Sequence, residues 1–188
     1  MKKAISILIA SLGIAISSIA FAEMPMEKNT GLALNTLVPE ISAIDIVGNK
    51  QTIRQLSGEN GLLLIFFRSA DWCPYCKKHL IEIDGWTQRV NGLGYKIAAI
   101  SYDSIETLKG FSEKRQLKYP LLADQNHKTM ESFNVINQEN PPGTEHYGIP
   151  YPGVMVIDTN GKLIYKYFYE GYKKRVTFEI INQALLNK

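Results

Sequence analysis

Cys73 and Cys76 are the two cysteines of a 188-residue chain, and they stand in the stretch FFRSADWCPYCKKHL, behind an apolar run and ahead of a segment with helical periodicity. Such a pair can be a permanent cross-link, a soft metal clamp or a thiol couple that changes state. A cross-link stabilises mainly by closing a long loop in the unfolded chain, and a C-x-x-C pair closes almost none, so it makes a poor staple. A metal clamp needs further donors. Cys73, Cys76 and His79 would offer copper or zinc three soft or borderline ligands, but no second cysteine pair accompanies them. A thiol couple asks for less. A cysteine at the first turn of a helix faces unpaired N–H groups and the positive end of the helix dipole, which favour its thiolate. Cys73 holds that position, Pro74 suits the first helical turn because its missing N–H would be unpaired anyway, and Lys77 and Lys78 add positive charge. Cys76, one turn on, is placed to resolve a mixed disulfide formed at Cys73. Trp72 before the pair and Tyr75 between its cysteines are candidate substrate-binding residues, and Asp71 is a weak candidate for proton handling. His127 and His146 fall in expected loops and are given no role.

Several elements must position the pair. Leu62 to Phe67 is a continuous apolar run, the pattern of a strand covered on both faces. Leu80, Ile83, Trp86 and Val90 recur at three and four, which predicts a helix from about Pro74 to Val90. Ile97 to Ile100 reads as a second buried strand, and Ser104 to Gln116 as a helix capped by Ser104. A short extended piece follows at Tyr119 to Leu122, a short helix at Lys128 to Phe133, and a loop over 134–150. Two strands then flank Asn160-Gly161, a strong hairpin signal, and a helix from Val176 to Leu186 closes the chain. Upstream, Ile41, Ile44, Ile46 and Ile53 surround Gly48-Asn49 and predict a small N-terminal hairpin. Strand–helix alternation followed by an antiparallel pair gives an α/β fold with a mixed central sheet flanked by helices.

The first residues carry Lys2 and Lys3, an apolar stretch from Ala4, and Ala20-Phe21-Ala22 before Glu23, the pattern of a secretory signal peptide cleaved after Ala22. An uncleaved segment of that length would be a membrane anchor. The expected organisation is a signal peptide over 1–22, an arm over 23–36 and one domain over 37–188, with a periplasmic or secreted location. Of 21 basic and 18 acidic side chains, Lys2 and Lys3 leave with the leader, so the remaining chain is nearly neutral and nothing in it asks for nucleic acid. An oxidising compartment also lets a disulfide persist.

Trp72-Cys73-Pro74-Tyr75-Cys76 after an apolar strand resembles the active site of the thioredoxin superfamily. With "YPLLADQNHKTMESFNV" and "GIPYPGVMVIDTNGKLIYKYF", the stretch over roughly residues 34–185 is similar to the alkyl hydroperoxide reductase/thiol-specific antioxidant group of peroxiredoxin-like redoxins. The resemblance implies a thioredoxin-like fold, a redox-active disulfide between Cys73 and Cys76, and a cis proline beside the pair at Pro152, which would free the Tyr151 backbone to pair with an extended substrate chain. Peroxidases of the group carry P-x-x-x-T-x-x-C and a remote arginine. Here Phe66 and Ala70 stand where proline and threonine belong, no arginine follows Pro152 in the strands, and Arg68 is the nearest substitute. Without these groups attack on a peroxide loses its positioning, whereas exchange needs mainly a thiolate and a resolving thiol. The expected function is therefore an exported oxidoreductase exchanging disulfides with protein or small thiol partners and a separate electron donor or acceptor. Peroxide reduction through Cys73 is the alternative, and a copper or zinc carrier the reading of another class. The redox readings require no cofactor, since the two sulfurs carry the electrons.

Overall fold

A computed structural model describes residues 28–169 and 171–186. The leader of the sequence reading lies outside them. Six strands form one sheet in the order β1-β4-β3-β2-β5-β6, made of β1 (Ile44–Asp45), β2 (Gly61–Phe66), β3 (Tyr95–Ser101), β4 (Leu121–Ala123), β5 (Gly153–Ile157) and β6 (Leu163–Phe168). β2 is central, parallel to β3 and antiparallel to β5, and β3 runs parallel to β4. All six residues of β2 are buried, and the five apolar side chains from Leu62 to Phe66 each contribute roughly 1.5–3 kcal/mol of transfer free energy.

The two-residue period of the strands divides the interior into two cores. Leu63, Ile65 and Phe67 face the same core as Val154, Val156 and the cysteine pair, together with α2 (Pro74–Asp84), α4 (Ile105–Arg115) and α6 (Phe178–Leu186). Leu62, Leu64 and Phe66 face the opposite core with Met155, Phe133 and Tyr151, beside α1 (Ile53–Leu56) and α5 (Lys128–Ser132). Gly61 opens β2 at φ +134°, and a Cβ there would meet the Ile157 carbonyl oxygen at 2.0 Å. Only glycine fits that approach.

Two elements differ from the sequence reading. The helix predicted from Pro74 to Val90 is two helices, α2 and α3 (Thr87–Gly92), because the Gly85 and Trp86 N–H groups turn back to Glu82 and Ile83 and send the Trp86 ring into the core. The N-terminal hairpin is reduced to β1 and a single bridge between Ile44 and Lys50, closed by Asp45, whose carboxylate accepts from the Val47 and Asn49 N–H groups; Ile53 starts α1 instead of a strand. The hairpin at Asn160-Gly161 and the Ser104 cap of α4 form as expected. Residues 28–36 run against the far edge of the sheet, where Lys28 N–H donates to Phe168 and Asn35 N–H to Leu163. Among the described residues no helix is long and apolar enough to cross a membrane.

Candidate active site

α2 begins where its sequence says it must, and Cys73 is its N-cap. Cys73 Sγ accepts a hydrogen bond from the Cys76 N–H at 3.2 Å, Pro74 occupies the first helical turn, and Cys73 and Cys76 are joined by a disulfide with their Cα atoms 5.3 Å apart. A sulfur so placed has the N–H groups and positive end of an eleven-residue helix directed at it, which favours the thiolate once the bond is reduced.

The loop that delivers Cys73 to the helix is pinned by an acid that the sequence reading did not single out. Asp103, just beyond β3, accepts from Ser69 Oγ at 2.8 Å, from the Ala70 N–H at 2.7 Å and from Ser101 Oγ at 2.9 Å, and Ser69 Oγ in turn accepts from the Asp71 N–H at 2.9 Å. Burial raises the Asp103 pKa against these hydrogen bonds, which lower it. Asp71, the residue proposed for proton handling, is exposed, and its carbonyl accepts from Lys77 Nζ. Lys77 is thereby tied to the loop and Lys78 is exposed, so the cation set against the sulfurs is neither of them.

That cation is Arg175. Its Nη2 lies 3.4 Å from Cys76 Sγ and 3.9 Å from Cys73 Sγ, while Nη1 donates to the Tyr172 and Lys174 carbonyls. Burial and the nearby charge of Arg68 push its pKa down to about 10, and it stays protonated at neutral pH. Arg68 is held between two rings, its guanidinium carbon 4.8 Å from the centroids of both Trp72 and Tyr172. Tyr172 in turn packs edge-on against Tyr75 at 5.8 Å, and Trp72 Nε1 donates to Tyr102 Oη at 3.0 Å. Trp72 and Tyr75 are 41 % and 40 % exposed, forming a rim over Cys73 and Cys76, which are 1 % and 0 % exposed. The sulfurs are more enclosed than a bare cysteine pair in the sequence suggested.

His79 is not placed as a metal ligand. It is 5 % exposed, Nε2 contacts the Val176 carbonyl at 3.1 Å, and the ring packs edge-on against Trp86 at 5.6 Å. A neutral ring with its proton on Nε2 satisfies that carbonyl and ties α2 to the segment carrying Arg175. Among the described residues no group of three or more His, Cys, Asp or Glu is arranged to hold a metal. Burial chiefly, with the charge of Arg175, pushes the His79 pKa down from 6.5 to about 4. Because the folded value lies below the unfolded one, the unfolded chain takes up the proton first, and stability is lost as pH falls through that interval. Urea denaturation should show the wild type losing about 2 kcal/mol relative to His79→Gln between about pH 7 and about pH 5, and parallel curves would refute the assignment.

Tyr151 turns away from the cysteine pair, and Pro152 precedes Gly153, which pairs with Phe66 at the end of β2 that leads to Cys73. Among the described residues every peptide bond is trans, including that before Pro152. The Tyr151 N–H donates to the Val135 carbonyl, its hydroxyl accepts from the Gln138 N–H at 3.2 Å, and its ring belongs to the core on the opposite face of the sheet. With its N–H paired and its ring buried, it has no free edge for a substrate strand. The expected Pro152 cis bond and Tyr151 docking edge are thus corrected.

The sequence of residues 34–166 matches the AhpC/TSA family. The chain belongs to that family. Relatives of this AhpC/TSA chain include peroxiredoxin Bcp of Escherichia coli K12, 26 % identical over 132 residues that cover 70 % of this chain and 83 % of the relative. Chloroplastic peroxiredoxin Q of Sedum lineare is also 26 % identical, over 151 residues, 78 % of this chain and 80 % of that one. Similar solved structures include peroxidoxin BcpB of Mycobacterium tuberculosis, with TM-score 0.68 and 21 % identity over 81 % of this chain and 94 % of that one. Reduced Prx3 of Vibrio vulnificus superposes with TM-score 0.70 at 17 % identity over 83 % and 99 % of the two chains. As a member of the AhpC/TSA family the chain is an oxidoreductase that works through thiols.

Proposed function

We propose that the protein is a thiol peroxidase in which Cys73 attacks a hydroperoxide and Cys76 resolves the product. Family membership and peroxiredoxin relatives support this reading over the disulfide exchange expected from the missing proline and threonine at Phe66 and Ala70. The observation that carries it within the structure is the enclosure of Cys73. A hydroperoxide is small enough to pass a rim of side chains, whereas a folded partner's disulfide must bring its own backbone to the sulfur.

The Cys73 thiolate attacks the terminal peroxide oxygen; the S–O bond forms, the O–O bond breaks, and the leaving alkoxide takes a proton to become an alcohol. Cys73 is left as a sulfenic acid. Cys76 attacks that sulfur, water leaves, and the disulfide seen between the two residues results. A dithiol reductant returns two electrons. It meets the rim of Trp72, Tyr75 and Tyr172, which makes reduction the slower half of the cycle.

Stopped-flow tryptophan fluorescence should follow both halves, since Trp72 adjoins Cys73. The expected result is oxidation by hydroperoxide at least about a hundredfold faster than by a free thiol of equal acidity, with turnover limited by dithiol concentration. Oxidation no faster than that of a free thiol, combined with rapid exchange with protein disulfides in the absence of peroxide, would return the function to disulfide exchange.

A further inference from the structure

Arg68 and Arg175 form a pair of half-buried cations with no ion-pair partner among the described residues. Among the described residues the ion pair present is Lys118 with Asp84, at 3.7 Å, away from both arginines; Glu139 acts on Arg68 only through space. The Nε atoms of Arg68 and Arg175 are buried and unbonded. Buried positive charge without a counter-ion is unfavourable, so a working state of the site should supply one. Among the described residues the groups that touch Arg175 Nη2 and are able to become anionic are the two sulfurs, and the closer is Cys76, at 3.4 Å against 3.9 Å for Cys73.

The two cysteines differ in what else stabilises them. Cys73, at the cap, has the helix start and the Cys76 N–H directed at it. Cys76 is one turn inside α2 and fully buried, its own N–H is committed to Cys73, and the neighbouring buried imidazole, His79, faces the Val176 carbonyl. Burial alone disfavours its thiolate. Yet both reactions at the 73–76 bond pass through that thiolate.

We propose that Arg175 is a catalytic residue that holds the negative charge on Cys76 whenever the bond to Cys73 is made or broken. In reduction, one thiolate of a dithiol attacks Cys73 Sγ, the 73–76 bond breaks, and its electron pair settles on Cys76 Sγ against Arg175 Nη2. The second thiolate of the reductant then attacks the reductant's own sulfur in the mixed disulfide, completing the reductant's disulfide and releasing Cys73 as a thiolate. In oxidation, the Cys76 thiolate attacks the sulfur of the Cys73 sulfenic acid; the S–S bond forms, the S–O bond breaks, and hydroxide leaves with a solvent proton as water. A leaving thiol of lower pKa departs faster, so the arginine speeds reduction as well as populating the resolving thiolate. The helix start thus serves one sulfur and the arginine the other.

The proposal rests on the thiol-redox reading only in needing both sulfurs to change state, and its test requires no peroxide. Cys73→Ser protein isolates Cys76, whose thiolate is titrated by its ultraviolet absorbance with Arg175 intact, as Arg175→Gln and as Arg175→Lys. Arg175→Gln should raise the Cys76 pKa by about one unit or more, a tenfold loss of thiolate at fixed pH, and Arg175→Lys should restore part of it. In Cys76→Ser protein the same change should move Cys73 by less, and dithiothreitol should reduce the wild-type disulfide several-fold faster than that of the Arg175→Gln protein. An unchanged Cys76 titration, or a larger shift at Cys73 than at Cys76, overturns the proposal. If Arg175→Gln does not fold by circular dichroism, Arg175→Lys decides alone, since an ammonium lacking the guanidinium fork must shift Cys76 upward, and an unchanged midpoint overturns the proposal equally. Failure of the peroxidase reading would appear instead as slow hydroperoxide consumption with the Cys76 shift intact.

Discussion

Cys73→Ser is expected to lower hydroperoxide consumption by at least about a thousandfold, because a serine hydroxyl at that position is not ionised near neutral pH and the remaining thiol, Cys76, is fully buried. Cys76→Ser should behave differently. Its Cys73 keeps the α2 start, the N–H of residue 76 at 3.2 Å and the Arg175 guanidinium, so the first turnover should proceed at close to the wild-type rate. It then stops at the sulfenic acid, and excess peroxide carries Cys73 to the sulfinic acid, seen by intact-protein mass spectrometry as the gain of two oxygens. The contrast between no turnover and one turnover assigns attack to residue 73 and resolution to residue 76. If both serine variants lost the first turnover equally, or if Cys73→Ser retained it, the roles would have to be exchanged.

The place of Cys73 at the start of α2 was legible in the sequence, because an apolar strand, a C-x-x-C and a helical period in that order leave few places for the first sulfur. The strands were legible for the same reason: a wholly apolar run such as Leu62 to Phe67 fits a strand buried on both faces, and Asn160-Gly161 closes a hairpin by its own backbone preferences. Arg175 was not. It comes from a coil between β6 and α6, far along the chain from the cysteines, and its basic neighbours Lys173 and Lys174 make it look like part of an exposed surface. Only the return of α6 onto α2, fixed by Trp86 against Phe178 at 6.0 Å and by His79 against the Val176 carbonyl, brings it to the sulfurs. The cis bond expected before Pro152 and the free Tyr151 N–H are what the sequence misjudged. The pairing of Tyr151 with Val135 commits that edge to the protein's own chain.

Asp103 was concealed by position as well, though one clue was available. An acid directly after a buried parallel strand lies at the carboxyl end of the sheet, where α/β folds gather their sites. Asp103 accepts from three donors at once, Ser69 Oγ, the Ala70 N–H and Ser101 Oγ. Asp103→Ala should therefore cost about 3 kcal/mol at neutral pH, mostly through the buried Ala70 N–H, since the two hydroxyls can turn elsewhere. The freed loop carries Cys73, and a shift of the order of an ångström there should slow peroxide attack by on the order of a hundredfold while the thiol still titrates. The pH dependence supplies the sharper check. Burial is the largest influence on Asp103 and raises its folded pKa above the ordinary value of 3.8. Across that interval the native state holds the proton more firmly than the unfolded chain, so wild-type stability relative to Asp103→Ala rises as pH falls through the folded pKa and is lower above it. Urea titrations should show the gap between the two proteins widening on acidification. A gap that narrows would mean that the hydrogen bonds from Ser69, Ala70 and Ser101 outweigh burial, making the ionised carboxylate a net source of stability at neutral pH.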